Sequence, residues 1–250
     1  MDFKTATIVY IDFANVVHWS QKLGWHVDVR CLKHYLDSFP EIKKVRFYYG
    51  TIADDKKSEE IISQAKKYGY DVATKPVKTI RLSIDTTSIS ADSPALIAQF
   101  IRKPFLSKLH VEDIEYLNAR LRELNNQGIK YLEDKKCNFD VEIGRDMLLD
   151  YSQKKADNFI LWSGDSDFAD PVSQLLKDGK KVVIYSTARR VSKELAETGA
   201  KIFDIQKIRN QICWPRERKK ESPKATPSAL KHRSFPIKNY CNFWQLVCQD

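Results

Sequence analysis

Short apolar runs alternate with stretches of helical period along most of the chain. TIVYI (7–11), VRFYY (45–49), YDVAT (70–74), NFILWS (158–163), VVIY (182–185) and KIFDI (201–205) are strand-length and rich in β-branched and aromatic residues. Between them, VRCLKHYLDSF (29–39) spaces Leu32, Tyr35, Leu36 and Phe39 along one helical face behind an N-cap at Asp28. Helices are also predicted near 58–68 before Gly69, over 141–151, from about Asp170 to Asp178 before Gly179, and near 192–197. Such alternation specifies an α/β fold, a parallel sheet flanked by helices on both faces. If the strand order is 3-2-1-4-5, the first and fourth strands are neighbours. Ligands then gather beyond their carboxyl ends, where the order reverses.

Both of those strands end in acid. Asp12 closes the first, and LWSGDSDFADP (161–171) crowds Asp165, Asp167 and Asp170 behind the fourth. Like charges that close raise each other's pKa and cost stability unless a cation or a set of donors offsets them. Any one of these aspartates could simply cap a helix. The cluster gains weight from Asp12 and from NFDVEIGRD (138–146), where Asp140 opens a helix. Asp146 lies far around that helix at about 100° per residue, which suits an acid behind the metal ligands or a salt-bridge partner. Carboxylates gathered with almost no imidazole or thiolate point to Mg²⁺ or Mn²⁺ rather than Zn²⁺. Such an ion polarises a phosphoryl oxygen and acidifies a bound water, so phosphodiester hydrolysis is the natural chemistry.

Composition narrows the setting. At 250 residues, 42% hydrophobic and 30% charged, the chain can bury one good core with an elaboration or a tail. No apolar run reaches membrane-spanning length and no signal-peptide pattern opens the sequence, so a cytoplasmic location is the expectation. Five cysteines without a C-x-x-C pair argue for reduced thiols, and the spacing of Cys213, His232, Cys241 and Cys248 fits no familiar zinc module. No nucleotide-cofactor glycine motif is present.

Charge is concentrated near the C-terminus, where residues 207–238 carry ten Lys/Arg against two Glu, nearly all of the net +9. Residues 207–250 are therefore expected to form a basic, flexible tail. It is either a solvated linker or, as favoured here, a sequence-independent grip on phosphates through Arg216, Arg218, Lys219 and Lys220. The last stretch, FPIKNYCNFWQLVCQD, could dock on the body, bind a partner or stack on bases.

Three motifs in order, IDFAN (11–15), K-x-x-x-D-V from Lys136 to Val141 followed by RDM, and SGDSDF (163–168) followed by KKVVIYS, resemble the NYN (LabA-like, formerly DUF88) branch of the PIN-domain nucleases. The resemblance covers residues 5 to about 206. It implies a Rossmann-like PIN fold in a domain spanning 1–206 and a divalent-metal-dependent ribonuclease site. By the resemblance Asp12, Asp140, Asp165 and Asp167 would bind metal; Asp146, from its place in NFDVEIGRD, is kept as a further candidate among the metal acids. Asn15 and Ser163 would orient the acids or the scissile phosphate, and Lys136 would touch the RNA backbone. One departure is an insertion over about 76–135, well beyond ordinary loop length. Within it Ile114, Leu117, Leu121 and Leu124 predict a helix over 111–126, whose stripe is expected to pack against the body in preference to a dimer seam. A homodimer or protein partner through the insertion or the aromatic C-terminus stays open.

Two alternatives accompany the ribonuclease reading. One is a non-catalytic NYN protein that binds RNA or recruits regulatory partners. The other, minor, is a haloacid-dehalogenase-like phosphatase. Gly164 to Asp170 matches its late acidic motif, but Ala14 stands where that class wants a second acid.

Overall fold

The computed structural model describes residues 5–53, 55–187 and 190–218. They form two compact units, one from the chain up to Lys78 and from Lys136 onward, the other from Thr79–Lys135.

The first unit is built on a six-stranded sheet: β1 (Thr7–Asp12), β2 (Ile42–Thr51), β3 (Asp71–Pro76), β6 (Asn158–Trp162), β7 (Lys181–Ser186) and β8 (Lys201–Asp204). Its order is β3-β2-β1-β6-β7-β8 and every pairing is parallel. Every residue of β1 and of β6 is buried, as expected for strands covered on both faces. One core layer lies under α1 (Phe13–Leu23), α2 (Val29–Asp37) and α3 (Lys56–Lys67), and joins Val9, Ile11, Trp19, Leu32, Phe47 and Trp162. The opposite layer lies under α6 (Asp140–Ser152), α7 (Ala169–Lys177) and α8 (Lys193–Glu197), and joins Tyr10, Tyr48, Met147, Phe159 and Leu175. The strand alternation thus sends neighbouring residues to opposite layers. The expected order holds, with β8 added at the edge, and β1 and β6 meet at the reversal point.

Helix starts follow their caps. Asp28 and Asp55 accept backbone amides from Cys31 and Ser58 at the starts of α2 and α3. Helix α1 has no counterpart among the sequence expectations. Its FANVVHWSQKL stretch buries Phe13, Val16 and Trp19, and Gly24 ends it with φ 69°.

The C-terminal expectation needs correction. Residues beyond 206 do not leave the body at once. Ile208, Ile212 and Cys213 are buried in the α1/α2 layer through α9 (Arg209–Ile212), whose Ile212 carbonyl accepts the Asp28 amide at 2.8 Å. Trp214 donates its amide to the His26 carbonyl, and Glu217 accepts both the amide and the imidazole of His26. The packed body therefore reaches at least Arg218. Cys213 is buried inside it, while His232, Cys241 and Cys248 lie outside the described residues. Lys219, Lys220 and the aromatic stretch with Phe235, Tyr240, Phe243 and Trp244 lie outside the described residues.

The second unit holds β4 (Lys78–Ser83) paired with β5 (Tyr131–Lys136), the short α4 (Lys103–Leu106) and the long α5 (Val111–Asn126). The helix occupies the predicted span. Its stripe does not need the body: Leu121 and Leu124 join Ile84 and Leu96 in a small core of the unit's own, flanked by Ile89, Phe100 and Leu132. Asn125 ties this unit together by accepting from Thr86 and donating to the carbonyls of Ile84 and Ile129. Among the described residues no helix is long and apolar enough to cross a membrane.

Candidate functional site

The carboxyl ends of β1 and β6 form one side of a pocket of about 210 Å³. Asp12, Ala14, Asn15 and His18 line it from the β1–α1 turn, Asp165 from the end of β6, and Cys137 to Asp140 from the start of α6. This is the crevice at which strand order reverses.

Asp12 is only 8% exposed and caps α1, accepting the Asn15 amide at 3.2 Å. The buried Ser163 hydroxyl donates to its other oxygen at 3.4 Å. The same hydroxyl accepts from the Asn15 side-chain amide at 3.1 Å and from the Asp165 backbone amide at 3.3 Å. Asn15 and Ser163 thus hinge two acids on two strands. Asp165 in turn accepts the Asp167 amide, so it caps the turn Ser166–Phe168 while facing the pocket. Capping and clustering are therefore one arrangement here, not rival explanations. Asp170, exposed in the first turn of α7, has only the favourable helix-end role.

Close approach of the backbone explains the glycine in SGD. A Cβ at Gly164 would stand 1.9 Å from the Arg190 carbonyl oxygen, and the Gly164 carbonyl accepts the Ser192 amide at 2.9 Å. The turn that presents Asp165 is clamped by this contact. Gly50 plays a matching part across the pocket, because a Cβ there would press within 2.7 Å of the Cys137 sulfur. Its absence lets the 137–140 segment approach β2 and deliver Asp140.

Asp140 receives its position from Asn138, whose side chain accepts the Asp140 amide at 2.7 Å. Burial pushes its carboxyl up to about 7, and a proton-requiring hydrogen bond with Asp167 and the charges of Asp165 and Asp12 push the same way. Asp12 is also raised, first by burial and then by Asp165, against donation from Asn15 and Ser163. No Lys or Arg is among the described residues lining the pocket.

Sequence reasoning placed Asp12, Asp140, Asp165, Asn15 and Ser163 in this region, and the structure brings these together, with Asp167 beside Asp140. Asp146 is elsewhere. It accepts the Tyr48 hydroxyl at 2.8 Å and pairs with Arg46 at 3.3 Å and Arg145 at 2.9 Å. Its inclusion among the metal ligands is corrected to a salt-bridge role. Lys136 ends β5 and does not line the pocket. Arg216 stacks on Trp214 at 4.3 Å, and Arg218 donates towards the Cys31 sulfur at 3.6 Å. Sequence reasoning missed His18 and Asn138. His18 follows Asn15 by three positions, the spacing of one helical face, once α1 is recognised.

An oxygen-rich donor set of carboxylates, with the Asp12 and Asp140 carboxyls raised by burial, suits a hard divalent cation. Among the described residues no three His, Cys, Asp or Glu side chains already stand at metal-holding separation. The donor chemistry therefore fits, with the carboxylates spread wider than a coordination shell. The phosphatase alternative fares worse, because Ala14 presents a methyl group where it needs an acid.

A six-stranded parallel sheet with its acids at the reversal point defines a Rossmann-like α/β protein. The NYN domain matches residues 6–101 and 103–206, and the chain belongs to that family. It is 25% identical over 205 residues to the Low amplitude and bright protein LabA of Synechococcus elongatus, covering 82% of this chain and 86% of that one. A crystal structure of a Vibrio parahaemolyticus protein of unknown function shares the fold. That likeness has a TM-score of 0.53 at 17% identity, over 86% of this chain and 99% of that one. Family membership supports a nuclease-related or RNA-related function in general terms, and such domains typically use divalent metals.

Proposed function

We propose that the chain is a divalent-metal-dependent ribonuclease acting through Asp12, Asp140, Asp165 and Asp167. The observation that carries this reading is the gathering of acids from β1, β6 and α6 at one crevice without a lysine or arginine in its lining. These carboxylates would hold Mg²⁺ or Mn²⁺, which supplies charge neutralisation at phosphate and an acidified water. Asn15 and Ser163 fix the Asp12 carboxylate and the Asp165 backbone, and Asn138 fixes the start of α6. Basic residues at 216–220 would add phosphate contacts that set affinity without choosing sequence. In this reading the nuclease domain runs through at least Arg218, with 76–135 as its insertion.

A second reading is an RNA-binding, regulatory protein without turnover. The wide spacing of the acids favours it. One assay separates them: labelled single-stranded RNA, structured RNA and DNA are incubated with the purified chain in EDTA, Mg²⁺ or Mn²⁺. Metal-dependent RNA cleavage lost in Asp165→Asn is expected. Tight RNA binding with no cleavage in either metal would move the conclusion to the second reading.

A further inference from the structure

Helix α1 faces two different hollows. Asn15 and His18 line the acid pocket, whereas Phe13, Val16, Val17 and Ser20, at the i, i+3, i+4, i+7 positions of one stripe, line a larger hollow of about 590 Å³. Its other walls are Tyr49 and Ile52 at the carboxyl end of β2 and Ile61 of α3, with Trp214 at one end. The volume is that of a small-molecule site. The Phe13 and Tyr49 rings meet edge to face, with centroids 5.5 Å apart. The stacking positions on Trp214 are taken by His26 at 4.1 Å and Arg216 at 4.3 Å, so the indole offers an edge.

The polar lining is mostly acceptor. Asp28, Asp55 and Glu60 contribute carboxylates. Asp28 and Asp55 each accept a helix-cap amide, from Cys31 at 2.8 Å and from Ser58 at 2.9 Å; Asp28 also meets the Cys31 thiol and Glu60 accepts from Gln64 at 3.3 Å, and the carboxylates' remaining lone pairs can receive a ligand donor. Lys57 is the one Lys or Arg among the described lining residues, and His26 is engaged by Glu217 at 2.9 Å. Phosphate is therefore disfavoured inside the hollow, and a flat apolar ring with N–H donors is favoured. Guanine, adenine and cytosine carry amino donors on their pairing edges. Uracil has carbonyl oxygens on both sides of its single N–H, which the carboxylates would repel.

We propose that this hollow is a nucleobase site that takes an amino-bearing base of a nucleotide flanking the phosphate held at Asp12, Asp140 and Asp165. The assignment rests on the RNA-cleaving reading for the word flanking and on the hollow's own chemistry for the base. One helix width, about 10–12 Å, separates the two hollows on either side of α1. The base site would thus set which nucleotide sits beside the cut.

The test uses nucleosides, which carry no phosphate, titrated into the full chain in EDTA and followed by amide NMR shifts. Guanosine, adenosine or cytidine should saturate with shifts in α1 and at Tyr49, and uridine should bind about tenfold more weakly. Val17 is 36% exposed at the rim, so Val17→Glu should fold and weaken binding about tenfold, and Glu60→Gln should reduce the preference over uridine. No saturable binding, equal uridine binding, or an unaffected Val17→Glu variant would overturn the proposal. So would a dimer that Val17→Glu disperses while no nucleoside binds, since the hollow would then be a self-association face. Cleavage is scored separately: cutting without nucleoside binding removes this inference alone, whereas nucleoside binding without cutting keeps the base site and removes the ribonuclease reading.

Discussion

The two ends of α6 treat their carboxylates in opposite ways. At its start, Asp140 faces other acids, and burial with their repulsion lifts its carboxyl to about 7. Two and three turns further on, Asp146 and Asp150 meet built-in donors. Asp150 is 1% exposed, yet its pKa is lowered: burial raises it, but the Tyr10 hydroxyl at 2.9 Å, Lys155 at 3.1 Å and Arg46 at 2.8 Å outweigh burial. A carboxylate that serves the fold arrives with its cations in the chain. Asp140 is left short of them, with no Lys or Arg among the described residues lining its pocket. The difference separates architecture from site on a single helix, and it can be attacked from both ends.

The largest expected effect is on cleavage. Asp165→Asn or Asp140→Asn keeps shape and removes charge, and should lower metal-dependent RNA hydrolysis by about a hundredfold or more, with far-ultraviolet circular dichroism unchanged. Asp146→Asn should cost much less. Equal losses at Asp140 and Asp146 would erase the contrast between the two ends.

Next comes stability. Asp150→Ala strips the buried partner from Arg46, whose side chain is 17% exposed, and should cost about 3 kcal/mol in chemical denaturation. Asp140→Asn should leave the metal-free protein as stable or more so, because it removes a crowded charge. Gly164→Ala joins the costly group, since its Cβ has no room beside Arg190. An Asp150→Ala variant as stable as the parent would show that Arg46 finds other partners, Asp146 and Asp71 being at 3.3 and 3.4 Å.

Legibility in the sequence followed the same division. The sheet, its order and the three acid sources were readable because period-2 runs and terminal aspartates are local signals. Helical spacing set Asp146 apart from Asp140, but did not decide which of two roles it takes, an acid behind the ligands or a salt-bridge partner. Its fate depends on Arg46 and Tyr48, a hundred positions away in sequence on β2. The packed turn at Ile208, Ile212 and Cys213 was hidden because charge density at 207–220 outweighed four apolar positions. The β4 and β5 strands escaped because KTIRLS and YLEDKK are polar, and their partners lie across almost fifty residues. Helix α1 carried a readable stripe, but IDFAN drew attention as a motif rather than as a helix start.

The pH dependence should distinguish the ends more finely. A carboxyl raised in the folded state disfavours its own ionisation there, so Asp140 should erode stability as pH rises from about 4 to 7. Asp150, lowered when folded, contributes stability above the unfolded carboxylate range and loses it as pH falls through the folded pKa. Thermal melts of Asp140→Asn against the parent, without metal, should therefore gain between pH 4 and 7 and converge below pH 4. Parallel curves throughout would mean that Asp140 titrates alike in both states.

The smallest effect concerns the cations over 216–220. Arg216 is already spent in part on Trp214, whereas Lys219 and Lys220 come after the last described residue. Each phosphate contact on a single strand releases counterions and adds about 0.7 to the slope of log affinity against log salt. Lys219→Glu with Lys220→Glu should flatten that slope by about 1.4 if both touch RNA, with melting temperature and cleavage-site preference unchanged. Arg216→Glu should flatten it by about half as much and also lower stability by about 0.5 kcal/mol, through the lost stacking on the indole. Filter binding at several salt concentrations measures both. A double variant with the parent's slope would confine the grip to the packed body, where the acids must then be offset by cations from another part of the fold.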